Sequence, residues 1–134
     1  MSHIKARIDH LGIAVRGIDE ALLFYTEQLA LTLAARETVA GEKVNVAMLP
    51  AGDTRIELLE ATGPESPIAK FIERRGPGLH HIALQVDDLQ AALDRIKAAG
   101  GRVLNEPKRG AGGHLYAFIH PESSGGVLIE LIQR

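Results

Sequence analysis

Two histidines and two glutamates are the residues of this chain whose types and spacing could do chemistry. His10 and His81 each stand at the head of an apolar, alternating run. Glu57 and Glu130 lie inside aliphatic runs of similar sequence, IELL and IELI. An ionised carboxylate that is buried without a partner costs several kcal/mol, so a glutamate in such a run should be paired or bound to a metal.

The mixed donor set favours a metal site. A single strand histidine is more often a hydrogen-bonded core residue than a ligand, but here both residue types recur in both halves of the chain. Neutral imidazole nitrogens and carboxylate oxygens suit divalent ions such as Co²⁺, Mn²⁺, Ni²⁺, Zn²⁺ and Mg²⁺. We predict one divalent metal ion with four ligands, which are His10, Glu57, His81 and Glu130.

The four residues belong to an internal duplication. The segments DHLGIAV at 9–15 and HHIALQV at 80–86 align His10 with His81, and each runs on into a helical pattern. A pattern that repeats at about half the chain length indicates two copies of one module.

The elements that must position these residues follow a β-α-β-β-β order in each half. Alternating apolar residues predict the strands, and glycine and aspartate at the breaks predict hairpin turns. The first half has strand 4–15, a helix that Asp19 can cap, and strands 31–39, 43–49 and 54–59. The second half has strand 79–86, helix 88–99 and strands 102–105, 114–120 and 127–132.

A short linker helix separates the halves, with Ser66 as its cap and Pro67 at its first position. We therefore predict an α+β fold of two tandem βαβββ modules in a single domain, residues 1–134. Module one covers about 4–61, the linker helix about 66–76 and module two about 78–134.

Composition excludes several classes of function. The 134 residues carry a formal net charge of −2 and no basic run, which argues against nucleic acid as a partner. The chain has no cysteine, so disulfides and thiolate metal ligands are excluded. No apolar run has the length of a signal peptide core or a membrane span, so we expect a soluble, cytoplasmic protein without a membrane partner.

The motifs resemble those of the vicinal oxygen chelate superfamily, which includes glyoxalases, bleomycin resistance proteins and dioxygenases. The histidine and glutamate strands carry this likeness. Two further stretches resemble the methylmalonyl-CoA epimerases within it, namely SPIAKF at 66–71 and the region from GAGG at 110–113 to His120-Pro121. Together these motifs span nearly the whole chain.

The resemblance implies a fold, a cofactor and an activity. The paired modules would form a cupped mixed sheet around the metal, with Co²⁺ as the ion expected to support activity. The family interconverts the epimers of methylmalonyl-CoA by removing the α-proton and passing through a metal-stabilised enolate. Glu130 matches the glutamate that is both a ligand and the acid/base. The family is commonly dimeric, so a homodimer is expected.

The second acid/base is left open by the sequence. Some family members carry another glutamate on the third strand of the first module, at a position that falls at or near Val46 here. Glu37 and Glu42 are the nearest carboxylates, and a different residue or a bound water is also possible.

Several residues are candidates for contacting an acyl-CoA substrate. Lys70 and Arg109 could bind CoA phosphates. The backbone N–H groups of Gly112 and Gly113 could bind the substrate carboxylate, although a flexible hairpin explains the same glycines. His120 is either a substrate contact or a turn residue.

Three other functions use related folds and sites. A glyoxalase I-type lactoylglutathione lyase would share the ligands and the proton transfer, and the 66–71 segment argues for CoA instead. An extradiol dioxygenase would use two histidines and one carboxylate, which leaves Glu57 unexplained. A non-catalytic resistance protein would often lack the metal ligands, and this chain has all four.

Overall fold

The computed structural model of the protein describes residues 5–110 and 113–134. The chain folds into two compact units. The first unit is His10–His80, and the second unit is His81–Arg134 together with the N-terminal residues up to Asp9.

The first unit is a four-stranded sheet with two helices. In chain order its elements are β1 (Ala6–Ala14, which begins in the second unit), α1 (Ile18–Leu22), a π-helical segment (Leu23–Gln28), β2 (Ala35–Val39), β3 (Val44–Ala51), β4 (Thr54–Ala61) and α2 (Pro67–Arg75). The strands are ordered β2-β3-β4-β1. The β2–β3 and β3–β4 pairs are antiparallel, and β4–β1 is parallel.

The second unit repeats this plan. Its elements are β5 (Gly78–Val86), α3 (Leu89–Ala98), β6 (Lys108–Arg109), β7 (Leu115–Ile119) and β8 (Ile129–Gln133). The strands are ordered β5-β8-β7-β6, with β5–β8 parallel and the other pairs antiparallel. Both units therefore have the predicted βαβββ order, and the α+β fold class is confirmed.

The duplication extends to how the helices begin. The backbone N–H of Ile18, the first residue of α1, donates to Glu60 Oε1 at 3.0 Å. The N–H of Leu89, the first residue of α3, donates to Gln133 Oε1 at 2.7 Å. In each unit the accepting side chain lies three residues after the glutamate of the last strand, so one short segment satisfies an otherwise unpaired helix N–H group.

The prediction that Asp19 caps the first helix is wrong. The N-cap is Gly17, which has no side chain to accept a hydrogen bond. Asp19 lies within the first turn of α1 and accepts a hydrogen bond from Arg36 at 2.6 Å. The predicted cap of α2 is confirmed, because Ser66 Oγ accepts from the N–H of Ile68 at 3.1 Å.

Two predicted strands differ most from the observed ones, and the others agree to within two residues at each end. Strand 31–39 begins only at Ala35. The predicted strand 102–105 is reduced to a bridge between Val103 and Ile119, and the outer strand is Lys108–Arg109 instead. Asn105 explains the interruption, because its Oδ1 accepts the N–H of Phe118 at 2.9 Å and so replaces a backbone partner in the ladder.

The helices cover defined faces of the sheets. In the first unit α1 packs on the face formed by Ala47, Leu49 and Leu58. In the second unit α3 packs on the face formed by Ala117, Ile119 and Leu131, which are three of the buried core residues. Because side chains alternate along a strand, the next residues along each strand point away from these helices.

Within the described part of the chain, no helix is long and apolar enough to cross a lipid bilayer.

The cap of α3 gives a test of how this unit is stabilised. Asp88 Oδ1 accepts the N–H of Ala91 at 3.0 Å, so Asp88→Ala should lower the free energy of unfolding by about 1 kcal/mol. Asp88→Asn should keep most of it, because the amide oxygen also accepts. Urea unfolding measures both, with Asp87→Ala at the exposed neighbouring residue as the control. An equal loss in that control would contradict the assignment.

Candidate active site

His10 and Glu57 lie together on one face of the first unit. Gly12 is opposite Glu57 in the parallel β1–β4 ladder, and His10 precedes Gly12 by two residues, so strand alternation sets both side chains on the same face. His10 Nδ1 is 3.4 Å from Glu57 Oε2, and both residues are buried. This face is opposite to the one that α1 covers.

His81 and Glu130 form the matching pair in the second unit. Ala83 is opposite Glu130 in the parallel β5–β8 ladder, and His81 precedes Ala83 by two residues. His81 Nε2 is 3.1 Å from Glu130 Oε1. These residues are 6% and 7% exposed, so neither is a solvated surface residue. The repeated register explains why the sequence motif recurs.

The donor set of these pairs fits a divalent ion. Each pair provides an imidazole nitrogen beside a carboxylate oxygen, and both groups are held in a buried position by paired strands. Imidazole and carboxylate together suit Co²⁺, Mn²⁺, Ni²⁺ or Zn²⁺. Each unit therefore has a histidine–glutamate pair that could bind a metal.

Arg55 distinguishes the two glutamates. Its Nε is 2.8 Å from Glu57 Oε2, and it lies two residues before Glu57 on the same strand face. In the second unit, Phe118 is opposite Glu130 in the β7–β8 ladder, and its ring lies edge-on to His81 with centroids 5.8 Å apart. Glu57 thus has a cation beside it, whereas the neighbours of Glu130 include an aromatic ring across the ladder.

A row of aromatic side chains runs along β7 from His81. The centroids of Phe118 and Tyr116 are 5.8 Å apart, and those of Tyr116 and His114 are 6.1 Å apart. The sequence interpretation missed both this row and Arg55. The sequence did offer a signal for both, which is the spacing of two residues within a strand. This spacing sets His114, Tyr116 and Phe118 on the face of Glu130.

The other residues predicted to contact the substrate differ in their exposure and in their hydrogen bonds. Lys70 is exposed on α2. Arg109 Nη1 donates to the carbonyl of Gly113 at 2.8 Å, so this side chain holds the glycine loop. Gly113 has a φ of 81°, a conformation that favours glycine. Gly112 lies outside the described residues.

The remaining histidines have local roles. His120 caps the turn Pro121–Ser124, and its Nδ1 accepts the N–H of Glu122 at 3.0 Å. His80 lies edge-on to Phe71, with ring centroids 5.0 Å apart. These contacts account for both residues in structural terms.

An ion pair between a buried carboxylate and an exposed arginine anchors the strand residue before His10. Asp9 is 8% exposed, and both of its carboxylate oxygens accept from the Arg134 guanidinium at 3.0 and 3.1 Å. The bidentate geometry is the strong form of this interaction. No sequence pattern indicated it, because the partners are 125 residues apart.

Comparison with known proteins identifies the family. The model of the Glyoxalase/Bleomycin resistance protein/Dioxygenase superfamily matches residues 7–131. The chain belongs to this superfamily. An ethylmalonyl-CoA/methylmalonyl-CoA epimerase from Cereibacter sphaeroides is 41% identical, covering 95% of this chain and 97% of the relative. A probable lactoylglutathione lyase from Vibrio cholerae is 36% identical, covering 95% and 90%.

Solved structures of superfamily members agree with the fold. Methylmalonyl-CoA epimerase from Mycobacterium tuberculosis superposes with a TM-score of 0.88 at 37% identity, covering 94% of this chain and 86% of that one. A variant of the Streptomyces coelicolor methylmalonyl-CoA epimerase, in complex with 2-nitronate-propionyl-CoA, superposes with a TM-score of 0.89 at 36% identity. The coverage there is 95% of this chain and 93% of that one.

The pair of Asp9 and Arg134 gives a test of the anchor. Arg134→Ala removes the guanidinium and leaves a buried carboxylate, which should cost about 1–3 kcal/mol in the free energy of unfolding. Arg102→Ala is the matched control, because its pair with Glu122 is exposed and long at 3.6 Å. That control should cost less than about 0.5 kcal/mol. Equal losses in urea unfolding would show that the Asp9–Arg134 pair contributes no more than an exposed one.

Proposed function

We propose that this protein is a metal-dependent epimerase that interconverts the two epimers of methylmalonyl-CoA. The observation that carries the proposal is the pair of buried histidine–glutamate contacts, repeated in the same register in both units. The relatives named as methylmalonyl-CoA epimerases support the choice of substrate. A competition assay with methylmalonyl-CoA and ethylmalonyl-CoA gives the preferred substrate.

The ion would be held by His10, Glu57, His81 and Glu130. When bound, a divalent ion supplies a Lewis acid that stabilises negative charge developing on a thioester oxygen. Co²⁺ is the ion we expect to support activity, and Mn²⁺, Ni²⁺, Zn²⁺ and Mg²⁺ fit the same donors. Arg55 beside Glu57 reduces the net negative charge of the donor set.

The proton at C2 lies between a thioester and a carboxylate, and removing it is the chemical step. Glu130 would accept this proton on its carboxylate while the C–H electron pair forms a second bond between C2 and the thioester carbon and the carbonyl π pair moves onto the thioester oxygen. A proton returned to the opposite face gives the other epimer. Positioned acid/base groups typically contribute about 10²–10⁴-fold to such steps. His81, which touches Glu130, would orient the carboxylate.

Substrate contacts beyond the ligands remain predictions. Lys70 is exposed and available to a CoA phosphate. The N–H of Gly113 donates to the carbonyl of Gly110 at 3.0 Å, so it is not a free donor for the substrate carboxylate. The contact predicted for Gly112 stays a prediction. His120 is the weakest candidate, because its Nδ1 is engaged in capping a turn. A homodimer and a cytoplasmic location also stay predictions.

A glyoxalase I-type lactoylglutathione lyase is the second candidate function. The relative from Vibrio cholerae that is named a probable lactoylglutathione lyase favours it. The two candidates share the donor set and the proton transfer, so only the substrate distinguishes them. Assaying methylmalonyl-CoA and the hemithioacetal of methylglyoxal and glutathione with one metal-loaded preparation decides between them. A non-catalytic binding protein would turn over neither.

Metal binding can be tested without activity. Adding Co²⁺ or Mg²⁺ to chelator-treated protein should raise Tm by several degrees, because an ion at about 100 times its Kd adds about 2.7 kcal/mol. His81→Ala and Glu130→Gln should each shrink the shift, measured against the metal-free Tm of the same variant. His120→Asn, which keeps an oxygen able to cap its turn, should shift like the wild type. No shift in the wild type would overturn the metal site.

The activity itself is tested by deuterium incorporation. Metal-loaded protein in D₂O should label C2 of methylmalonyl-CoA well above the rate without enzyme, as read by mass spectrometry. Glu130→Gln should lower the rate at least about 10²-fold, because it removes the proton acceptor. Glu122→Gln, an exposed carboxylate on a turn, is the control and should label normally. Wild-type protein that binds metal and leaves C2 unlabelled would overturn the proposed substrate.

A further inference from the structure

A metal ion and an acid/base carboxylate cannot distinguish malonyl thioesters that carry different alkyl groups on C2. The thioester and the carboxylate are the same in all of these compounds, so only apolar side chains near C2 can select by the length of the alkyl group. This inference rests on the proposed function, in which Glu130 accepts the C2 proton. The side chains that matter are therefore those beside Glu130.

We infer that Phe118 determines which alkyl groups fit at C2. Phe118 lies directly opposite Glu130 in the β7–β8 ladder. Directly opposed residues of antiparallel strands have Cβ atoms about 4.5–5.5 Å apart. The atom that gives its proton to Glu130 must approach the carboxylate to about 3 Å, so the alkyl group on that carbon comes within reach of Phe118.

The ring of Phe118 extends towards the strand that carries Glu130. Its centroid is 5.8 Å from that of His81, which is a residue of β5. The strand order places β8 between β5 and β7, and two strand spacings amount to about 9–10 Å. The two side chains therefore lean towards each other across β8, where His81 Nε2 is 3.1 Å from Glu130 Oε1.

The ring of Phe118 is held on two sides. Its plane is at 87° to the ring of His81 and at 81° to the ring of Tyr116, with both centroids 5.8 Å away. Nearly perpendicular rings at this distance are a favourable arrangement. The backbone N–H of Phe118 also donates to Asn105 Oδ1 at 2.9 Å, which fixes β7 at this point. A ring fixed in this way gives a wall of defined position.

Phe118 also retains accessible apolar surface. On the other side of Glu130, Ala83 is opposite it in the β5–β8 ladder and is fully buried, as is Ile132 two residues further along β8. Phe118 packs against the cluster that contains these two residues but is only half-buried. Of these three neighbours of Glu130, Phe118 is thus the one that a ligand can contact without a rearrangement of the core.

The test measures kcat/KM for deuterium incorporation at C2 of methyl-, ethyl- and propylmalonyl-CoA, with metal-loaded protein in D₂O. One methylene group in an apolar pocket typically changes kcat/KM by about 10–200-fold. Phe118→Val removes the ring and keeps a residue suited to a strand, so the ratio of propyl to methyl should rise at least about 10-fold above that of the wild type. Phe118→Trp leaves less space and should lower the ratio of ethyl to methyl. General damage to the fold does not shift selectivity in opposite directions.

Phe24→Val is the matched control. Phe24 is 47% exposed and has a similar edge-on contact, with the ring centroid of Tyr25 at 5.2 Å. It lies in the π-helical segment that follows α1, so its removal should leave both ratios at the wild-type values. The Phe118 variants should show the same metal-dependent rise in Tm as the wild type, because His81 and Glu130 are retained.

The outcomes separate this inference from the proposed function. Unchanged ratios in both Phe118 variants, or a uniform loss of rate with all three thioesters, would overturn the selecting role of Phe118 and leave the proposed function standing. A smaller metal-dependent rise in Tm with unchanged ratios would show that Phe118 only supports His81, which also overturns the inference. Wild-type protein that binds metal and labels none of the three thioesters would overturn the proposed function and this inference with it.

Discussion

The structure depends on keeping two buried carboxylates in contact with specific partners. Glu57 and Glu130 are each less than a tenth exposed, and each lies within hydrogen-bonding range of an imidazole nitrogen or close to it. A buried ion without a partner costs several kcal/mol, which is a large part of the stability of a chain this size. The register of the parallel strand pair in each unit holds these contacts.

The two units solve this problem with the same backbone but different surroundings. The register between the first and last strands is equivalent in both, with the histidine two residues before the position opposite the glutamate. Arg55 lies beside Glu57, whereas Phe118 lies opposite Glu130. The duplication thus accounts for the shared donors, and the two copies differ in the residues that surround them. The arginine beside Glu57 stabilises the ionised form of that carboxylate, whereas Glu130 has an aromatic ring across the ladder.

Much of the fold followed from patterns with short range in the sequence. Alternation and turn residues identified the βαβββ order, and repetition identified His10, His81, Glu57 and Glu130. What could not be read were contacts set by tertiary structure. Asp19 is a residue type that often caps helices, but the distant Glu60 accepts the first N–H of α1 instead. The strand predicted at 102–105 is interrupted because a side chain, Asn105, competes for the ladder. The Asp9–Arg134 pair joins residues at opposite ends of the chain and leaves no local trace.

In each unit, the side chain that accepts the first N–H of the helix lies three residues after the buried glutamate. The strand register therefore determines both the helix cap and the position of the glutamate. Odd and even residues of a strand face opposite sides, so Glu130 and Gln133 are displayed on opposite faces of β8, as are Glu57 and Glu60 of β4. A slip of one residue would turn the glutamate towards the helix layer and withdraw the acceptor from the helix at the same time. A misregistered chain would therefore lose stability in two ways, because strand side chains would leave their buried positions and the helix would lose its cap. The four residues 57–60 and 130–133 therefore favour a single strand register. An insertion or deletion within them would be destabilising whether or not the glutamate has a catalytic role.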